Sequence, residues 1–311
     1  MPTTFAARVG RALARFALLL AAASLIIFLL LRAVPGDPAR VALGVAATED
    51  DVAELAHQLG TDRPLVTQYF SWVTGMLTGD FGLSMASGTP LGPQLAERAG
   101  VSLTLTLTAM AVSVCIAVPL GVYLARRRGH ADAAIVDGLT QVGIVVPSFL
   151  VGILAVALFS VRLGWLPANG WGTPAHAVLP VVALTLVQAS ILTRYVRAAI
   201  AEELEKDYVR TARASGASIS TALARHALRN AALPVLTVTG VQLSALIVGA
   251  VVIERVFAIP GLGSMLLDAV GNRDLTQVQS VMMCIVAFTL LVNLAVDVSY
   301  AAIDPRTRRR A

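Results

Sequence analysis

Charge is scarce in this chain. Only 14% of its 311 residues are Asp, Glu, Lys or Arg, against roughly 25% in an ordinary soluble domain, and 57% are hydrophobic. A water-soluble globule is excluded. Lysine is scarcer still, with Lys206 alone between Glu205 and Asp207. A phosphate-binding loop of the G-x-x-x-x-G-K-[ST] kind needs a lysine directly after a glycine. The chain therefore carries no such nucleotide site, and ATP-driven work would need a separate ATPase. Two cysteines, Cys115 and Cys284, fall inside apolar runs; they set up no disulfide framework and read as small core residues. His57, His130, His176 and His226 are scattered, with no His-Glu-x-x-His among them, which removes the commonest zinc motif. An intramembrane enzyme would need a catalytic constellation that the sequence does not contain.

What fills the chain is uncharged apolar sequence. Such runs lie between Arg15 and Arg32, Arg98 and Arg126, Asp137 and Arg162, Arg162 and Arg194, Arg229 and Glu254, and Asp274 and Asp297. A membrane helix needs about 20 apolar residues, so six spans are expected, the first borrowing flanking residues whose arginines snorkel to the interface. In the fourth run the stretch 166–174, rich in Pro and Gly, reads as a loop before its helix. No convincing small-residue cleavage site precedes Pro35, so the first run reads as a retained span.

Basic residues set the orientation, because Lys and Arg collect in cytoplasmic loops. Arg8, Arg11 and Arg15, then Arg126 to Arg128, then the stretch from Arg194 to Arg229, then Arg306 and Arg308 to Arg310 occupy alternate loops. Both termini are thus expected in the cytoplasm. The net charge of +5 describes this orientation and not a nucleic-acid partner.

The segment 35–97 faces outward and is net acidic. Thr48 ahead of Glu49, Asp50 and Asp51 reads as a capped helix start, and Gly60 as its stop. A second amphipathic helix is expected from Pro64, with Leu65, Tyr69, Trp72, Val73 and Met76 on one side. Both would lie at the membrane surface or cap the outer mouth.

The most informative inward segment is 200–230. Ile200, Leu204, Tyr208 and Ala212 recur every four positions, which predicts a helix. Gly216 suits the left-handed position after it, and Ser218 or Ser220 can cap a following helix bearing Ile219, Leu223 and Ala227. The elbow between them is lined by the small residues Thr211, Ala212, Ala214, Ser215, Ala217 and Ser218. It is either a solvated loop or an element whose backbone enters a groove on another protein, with Arg210, Arg213 and Arg225 meeting that partner's carboxylates.

The runs hold no ionisable group near mid-membrane, as an ion-coupled carrier would require. Their polar residues, among them Thr104, Thr106, Thr108, Ser113, Gln141, Gln188, Gln242 and Asn293, together with Pro119, Pro147, Pro180 and Pro234, favour a conduit over a sealed anchor.

Three groups of motifs carry a resemblance. Pro35-Gly36-Asp37-Pro38, Leu59-Gly60 with Asp62-Arg63-Pro64-Leu65, Gln68-Tyr69, Trp72 and Gly79-Asp80-Phe81-Gly82-Leu83-Ser84 form the outward group. Asp207-Tyr208-Val209-Arg210-Thr211-Ala212-Arg213-Ala214-Ser215-Gly216 and His226-Ala227-Leu228-Arg229-Asn230-Ala231-Ala232-Leu233-Pro234 form the inward one. Glu254-Arg255-Val256-Phe257, Pro260-Gly261-Leu262-Gly263, Asn272-Arg273-Asp274 and Ala301-Ala302-Ile303-Asp304-Pro305-Arg306 close the chain. In this order they resemble the first permease subunit of bacterial dipeptide, oligopeptide and nickel ABC importers. Arg210-Thr211-Ala212 departs from the Glu-Ala-Ala of the wider ABC-permease pattern, and Ser215 stands where lysine is common in this branch.

The resemblance implies an all-α polytopic protein of six transmembrane helices with type I, MetI-like architecture. Its parts would be residues 1–34, cytoplasmic terminus and first span; 35–97, extracytoplasmic; 98–303, permease core with coupling segment 200–230; and 304–311, a basic cytoplasmic tail. It implies half of a translocation pathway for peptides or related small solutes, located in the bacterial plasma membrane. The implied partners are a homologous second permease, one or two ABC ATPases that bind the ATP and Mg, an extracytoplasmic binding protein, and membrane lipid. Tyr208, Arg210, Thr211, Ala212, Ser215, Gly216, Ala217 and Ser218 would couple to the ATPase, and Glu254, Phe257, Pro260, Gly261 and Gly263 form an outer-side signature. No cofactor or metal is expected on the chain itself. An ion-coupled secondary carrier, or a relative specific for nickel or another non-peptide solute, are the rival readings.

Overall fold

Long apolar runs in lipid satisfy their own backbone only as helices or closed barrels, and here they are helices. The computed structural model describes residues 5–33, 36, 38–44, 47–223 and 227–303. Pro35, Asp37, Arg225, His226 and the basic tail 304–311 lie outside the described residues. In order, the helices are α1 (Phe5–Arg32), α2 (Pro38–Leu43), α3 (Glu49–Leu59), α4 (Leu65–Thr78), α5 (Leu91–Arg126), α6 (Ala131–Val145), α7 (Ser148–Ala155), α8 (Pro174–Leu204), α9 (Asp207–Ala214), α10 (Ile219–Ala222), α11 (Leu228–Val256), α12 (Leu262–Gly271) and α13 (Leu275–Ile303). The described residues form no strand beyond one isolated bridge, Leu83 to Pro90.

Five helices, α1, α5, α8, α11 and α13, are each long and apolar enough to cross a membrane. The remaining expected span, the run between Asp137 and Arg162, is broken. Helix α6 and the helix that starts at Ser148 meet at 97°. Pro147 has no N–H and pushes the residue before it out of the helical region; Val146 is accordingly extended, with φ −77° and ψ 123°. Helix α7 then runs into a π-helical stretch, Val156–Arg162.

The sequence missed three other features. The helix expected through Ile200, Leu204 and Tyr208 breaks at Glu205–Lys206, where Lys206 is extended (φ −68°, ψ 148°) and starts α9. The sequence does not mark helices α2 and α12, the latter lying between the apolar run that ends at Glu254 and the one that begins at Asp274. Cys115 is exposed rather than core, and Cys284 is half-buried. The outer face of a membrane helix is as apolar as its inner one, so composition could not assign Cys115 a side.

The chain divides into two compact units. The first is built on Leu103–Ile259 with the Val292 end of α13. Helix α8 is its centre, burying residues from Leu179 to Ile200 against α6, α7 and α11. Close approach depends on glycine: a Cβ on Gly143 would lie 2.2 Å from Ser190 Oγ, and one on Gly240 would lie 2.2 Å from Val296 Cγ2. Small residues that let backbones approach are the usual glue between membrane helices. Asp137 of α6 pairs with Arg197 of α8.

The second unit comprises Arg11–Ser102 and Pro260–Leu291. Helix α5 is 36 residues long, about 54 Å at 1.5 Å per residue against a hydrocarbon core of about 30 Å. Its surplus is used at its start, where Leu91 and Leu95 pack with Leu262 and Met265 of α12 and Val281 of α13. Helix α4 turns its aromatic face onto α1. Tyr69 Oη lies 2.9 Å from Ser24 Oγ, and the Phe28 ring meets Tyr69 at 5.4 Å and Trp72 at 6.3 Å between centroids.

Candidate functional site

The elbow predicted around Gly216 exists, and its backbone explains why the chain turns there. Helix α9 closes in a Schellman motif: Ala217 N donates to Ala212 O at 3.1 Å and Gly216 N to Arg213 O at 3.0 Å. The motif needs a left-handed residue at Gly216, which has φ +89°. Ser218 then caps α10, its Oγ accepting from Thr221 N at 3.2 Å; of the two candidate caps it is Ser218, and Ser220 instead accepts from Arg126 at 3.0 Å. The hydroxyls on α9 turn inward to their own helix, Thr211 Oγ1 to Asp207 O at 2.9 Å and Ser215 Oγ to Thr211 O at 3.0 Å. They compete for no partner and leave the turn's surface smooth.

Two layers follow from this geometry. Val209, Ala222 and Leu223 are buried, and Leu223 joins Val196 and Ile200 of α8 and Ala231 of α11 in one core. Arg210, Thr211, Arg213, Ser215, Gly216 and Ser218 are exposed, with Ala212 and Ala217 half-exposed. The elbow is thus a small-residue surface seated on the central helix of its unit. Tyr208 braces it, donating to Glu203 and accepting from Asn230 Nδ2 at 3.0 Å. Partial burial, then the Glu203 carboxylate, raise the Tyr208 phenol above its ordinary pKa. Ion pairs of Arg128 with Glu205 (3.3 Å), Lys206 with Glu202 (3.0 Å) and Arg210 with Asp207 (3.5 Å) surround it, solvent-exposed and individually weak.

The elbow and Glu254 are not brought together. The Asn230 contact places the elbow at the start of α11, and Glu254 is 24 residues further along, about 36 Å away by helical rise. Glu254 and Phe257 are each 1% exposed. Phe257 O accepts from Gly170 N at 2.8 Å, and a Cβ on Gly152 would lie 2.9 Å from the Phe257 ring; this half of the signature fastens α11 to α7 and the 166–174 loop. Pro260, Gly261 and Gly263 belong to the second unit. There Gly261 N donates to Ser264 Oγ at 3.1 Å and Leu262 N to Ser102 Oγ at 2.8 Å, which starts α12.

Sequence reasoning passed over the turn chemistry of this region. Ala258 has φ +48° and Arg273 φ +55°, both non-glycine residues at the left-handed position of Schellman closures: Ile259 N reaches Glu254 O at 2.8 Å, and Asp274 N reaches Ala269 O at 2.9 Å. Asp274, only 1% exposed, then caps α13 by accepting from Gln277 N at 2.9 Å and holds the 84–86 turn through Ser84 Oγ at 2.5 Å. The Asn272-Arg273-Asp274 motif was visible as a motif; its role as a clasp was not.

Two of the polar residues read as signs of a conduit are satisfied within their own helix. Ser113 Oγ donates to Ala109 O at 2.6 Å and Thr106 Oγ1 to Leu103 O at 3.3 Å, while Gln188 Nε2 is buried without a partner among the described residues. A cavity of about 340 Å³ between α5, α6 and α8 is walled by Val112, Ile116, Leu120, Val181 and Thr185 among others and presents no charge to a solute. Among the described residues there is also no cluster of His, Cys, Asp or Glu able to hold a metal ion.

Known proteins give the frame. Residues 5–116 match the N-terminal family of binding-protein-dependent transport system membrane components, and residues 117–309 match the binding-protein-dependent transport system inner membrane component family. Over 285 residues the chain is 39% identical to the glutathione transport system permease protein GsiC of Salmonella typhi, covering 92% of this chain and 93% of that one. Identity to GsiC of Escherichia coli (strain K12) is 38% over the same length. Among solved structures, an inward-facing MetNI methionine ABC transporter aligns with a TM-score of 0.58 at 21% identity, covering 67% of this chain and 95% of that chain. An amino acid ABC transporter aligns at 0.50 and 17%, covering 66% and 91%. These likenesses show a MetI-like fold. Such permeases have no cofactor of their own and work with an ATPase, a second permease and a binding protein. The chain belongs to the binding-protein-dependent transport system inner membrane components, as a multi-pass permease subunit of the dipeptide and oligopeptide type of ABC importer and not as an enzyme.

Proposed function

We propose that this permease moves short peptides, glutathione-like tripeptides among them, and that residues 208–218 are where an ABC ATPase takes hold of it. Both termini lie in the cytoplasm, as the alternating basic loops require. An extracytoplasmic binding protein delivers the solute, a homologous second permease completes the pathway, and one or two ATPases bind the ATP and Mg. The observation that carries this reading is the elbow's double character, an exposed small-residue turn around Gly216 on a base that shares its core with α8 and α11. A partner gripping the turn would move α8 directly, because Leu223 packs with Val196 and Ile200 and a packed core transmits displacement rather than absorbing it. ATP-driven closure of the ATPases would then tilt the spans between two states. Residues 254–259 shape the opposite end of α11.

The test combines crosslinking and uptake. With Cys115 and Cys284 replaced by alanine, Ser215→Cys should crosslink to the ATPase and be shielded from impermeant thiol reagents in intact cells, while Ser87→Cys and Thr173→Cys should react. Proteoliposomes carrying the assembled importer should take up labelled short peptides only with ATP. Uptake driven by an ion gradient without ATP, or labelling of Ser215→Cys from outside, would overturn the proposal.

A further inference from the structure

A pocket of about 250 Å³ opens within the second unit, between the Arg32 end of α1, the Gly60 turn, α4 and the 80–82 turn. Ser71, Thr276 and Gln279 line it with groups that both donate and accept, and its other polar groups are sorted by type. Arg32, Arg63 and Trp72 offer only donors; Gln68 and Asp80 offer acceptors; Phe28 closes one wall. Among the described residues, two of these groups are buried without a partner, Gln68 Oε1 and Trp72 Nε1. Gln68 is 9% exposed, and its amide nitrogen is already occupied by Thr61 O at 3.0 Å and Arg63 O at 2.6 Å. Two carbonyls on that nitrogen settle which end of the amide is oxygen and leave an acceptor for the pocket.

Buried polar atoms in native proteins have partners. One water bridging Gln68 Oε1 and Trp72 Nε1 would satisfy both, yet it makes no use of the charges around it. Arg63 forms no ion pair among the described residues, and Arg32 lies over the Phe28 ring, 5.4 Å from its centroid. Asp80 Oδ1 accepts from Gly82 N at 2.9 Å, and its Oδ2 has no partner among the described residues.

We infer that this pocket binds a small zwitterion, its oxyanion held by the Arg32 and Arg63 guanidinium groups and the Trp72 N–H, its ammonium received by Gln68 Oε1 and Asp80. Guanidinium pairs with carboxylate or phosphate are the strongest neutral-pH contacts available to such a group. The space suits an amino acid, the end of a short peptide, or the phosphate and ammonium of a phosphatidylethanolamine headgroup. The inference does not rest on the coupling role of the elbow.

The full-length chain with Trp165→Phe and Trp171→Phe keeps Trp72 as its one tryptophan and reports on the pocket by fluorescence. In phosphatidylglycerol nanodiscs, glycylglycine should change Trp72 emission saturably, while neutral N-acetylglycinamide should not. A response to added phosphatidylethanolamine in place of glycylglycine would identify the lipid headgroup as the occupant, with the same chemistry. Either response should need at least roughly tenfold more ligand in Arg63→Gln and in Asp80→Asn, since each removes one charge-assisted contact. The proposal is overturned by the absence of a saturable response to both probes, by equal response to N-acetylglycinamide, or by wild-type affinity in both variants; the pocket would then hold water only. No ATP or ATPase enters the measurement, so such a failure leaves the elbow untouched.

Discussion

Replacing Gly216 separates backbone shape from surface contact, because the structure leaves room for a side chain there. Among the described residues, a Cβ at Gly216 would meet no atom within 4 Å beyond its chain neighbours, so the cost of substitution there is conformational. At φ +89° an L-residue pays about 1–2 kcal/mol, least for Asn and most for a β-branched side chain. If the ATPase accepts only the left-handed elbow, the competent fraction falls with that energy and the apparent affinity falls in proportion, by roughly 5- to 30-fold. The expected order is Gly216 tightest, then Asn, then Ala, then Val. Equilibrium binding of purified ATPase to the permease pair in nanodiscs measures it, and coupled peptide uptake should follow the same order. Unchanged far-UV circular dichroism would show that the helices persist. Wild-type affinity for Gly216→Val would refute the argument outright. Asn binding as poorly as Val would show that bulk at the contact matters and backbone handedness does not.

Three further outcomes follow from particular positions. Ala258→Gly and Arg273→Gly should each raise the stability of the detergent-solubilised protein by about 0.5–1 kcal/mol, because both side chains are exposed and relief of left-handed strain outweighs the greater freedom of glycine in the unfolded chain; a lower unfolding midpoint for either would contradict this. Gly143→Ala should destabilise by roughly 1–3 kcal/mol through overpacking, and Ser190→Gly should restore most of the loss, since Ser190 supplies the two nearest atoms; an additive double mutant would show that the clash is relieved elsewhere. Hydrogen bonds from Thr48 hold the Asp51 carboxyl below its ordinary pKa, so its support of α3 is present above the unfolded carboxylate value of about 3.9 and is lost as pH falls through the lowered folded value. Protection factors of the α3 amides should therefore hold at pH 5 and fall toward pH 3, with Thr48→Val flattening that dependence.

How much of this was legible beforehand depended on what each feature left in the chain. Spans were visible because 16 or more uncharged residues in a row admit few other solutions in a membrane protein. The stops at Gly60 and Gly216 share one hydrogen-bond pattern, Thr61 N to Ala56 O at 2.9 Å and Ala217 N to Ala212 O at 3.1 Å, and glycine advertises the left-handed residue it needs. Pro147 was equally visible, but proline inside an apolar run is compatible with a kink or with a full break. The 97° bend was decided by packing of α6 and α7 against α8, which a one-dimensional pattern does not contain.

The site was legible for the same reason and illegible where that reason fails. The Gly216 elbow could be placed to the residue because its parts, a left-handed glycine and a serine cap, are local. Ala258 makes the same turn without a glycine, so no residue type announced it. What holds Ala258 at φ +48° is non-local: Phe257 and Ile259 on either side are each 1% exposed. Burying two such side chains is worth about 1.5–3 kcal/mol each, more than the left-handed penalty of about 1–2 kcal/mol. Burial can therefore impose on alanine a shape that glycine adopts freely. The elbow carries no such constraint at Gly216, which is exposed, so there the backbone preference of the residue itself keeps the turn in shape.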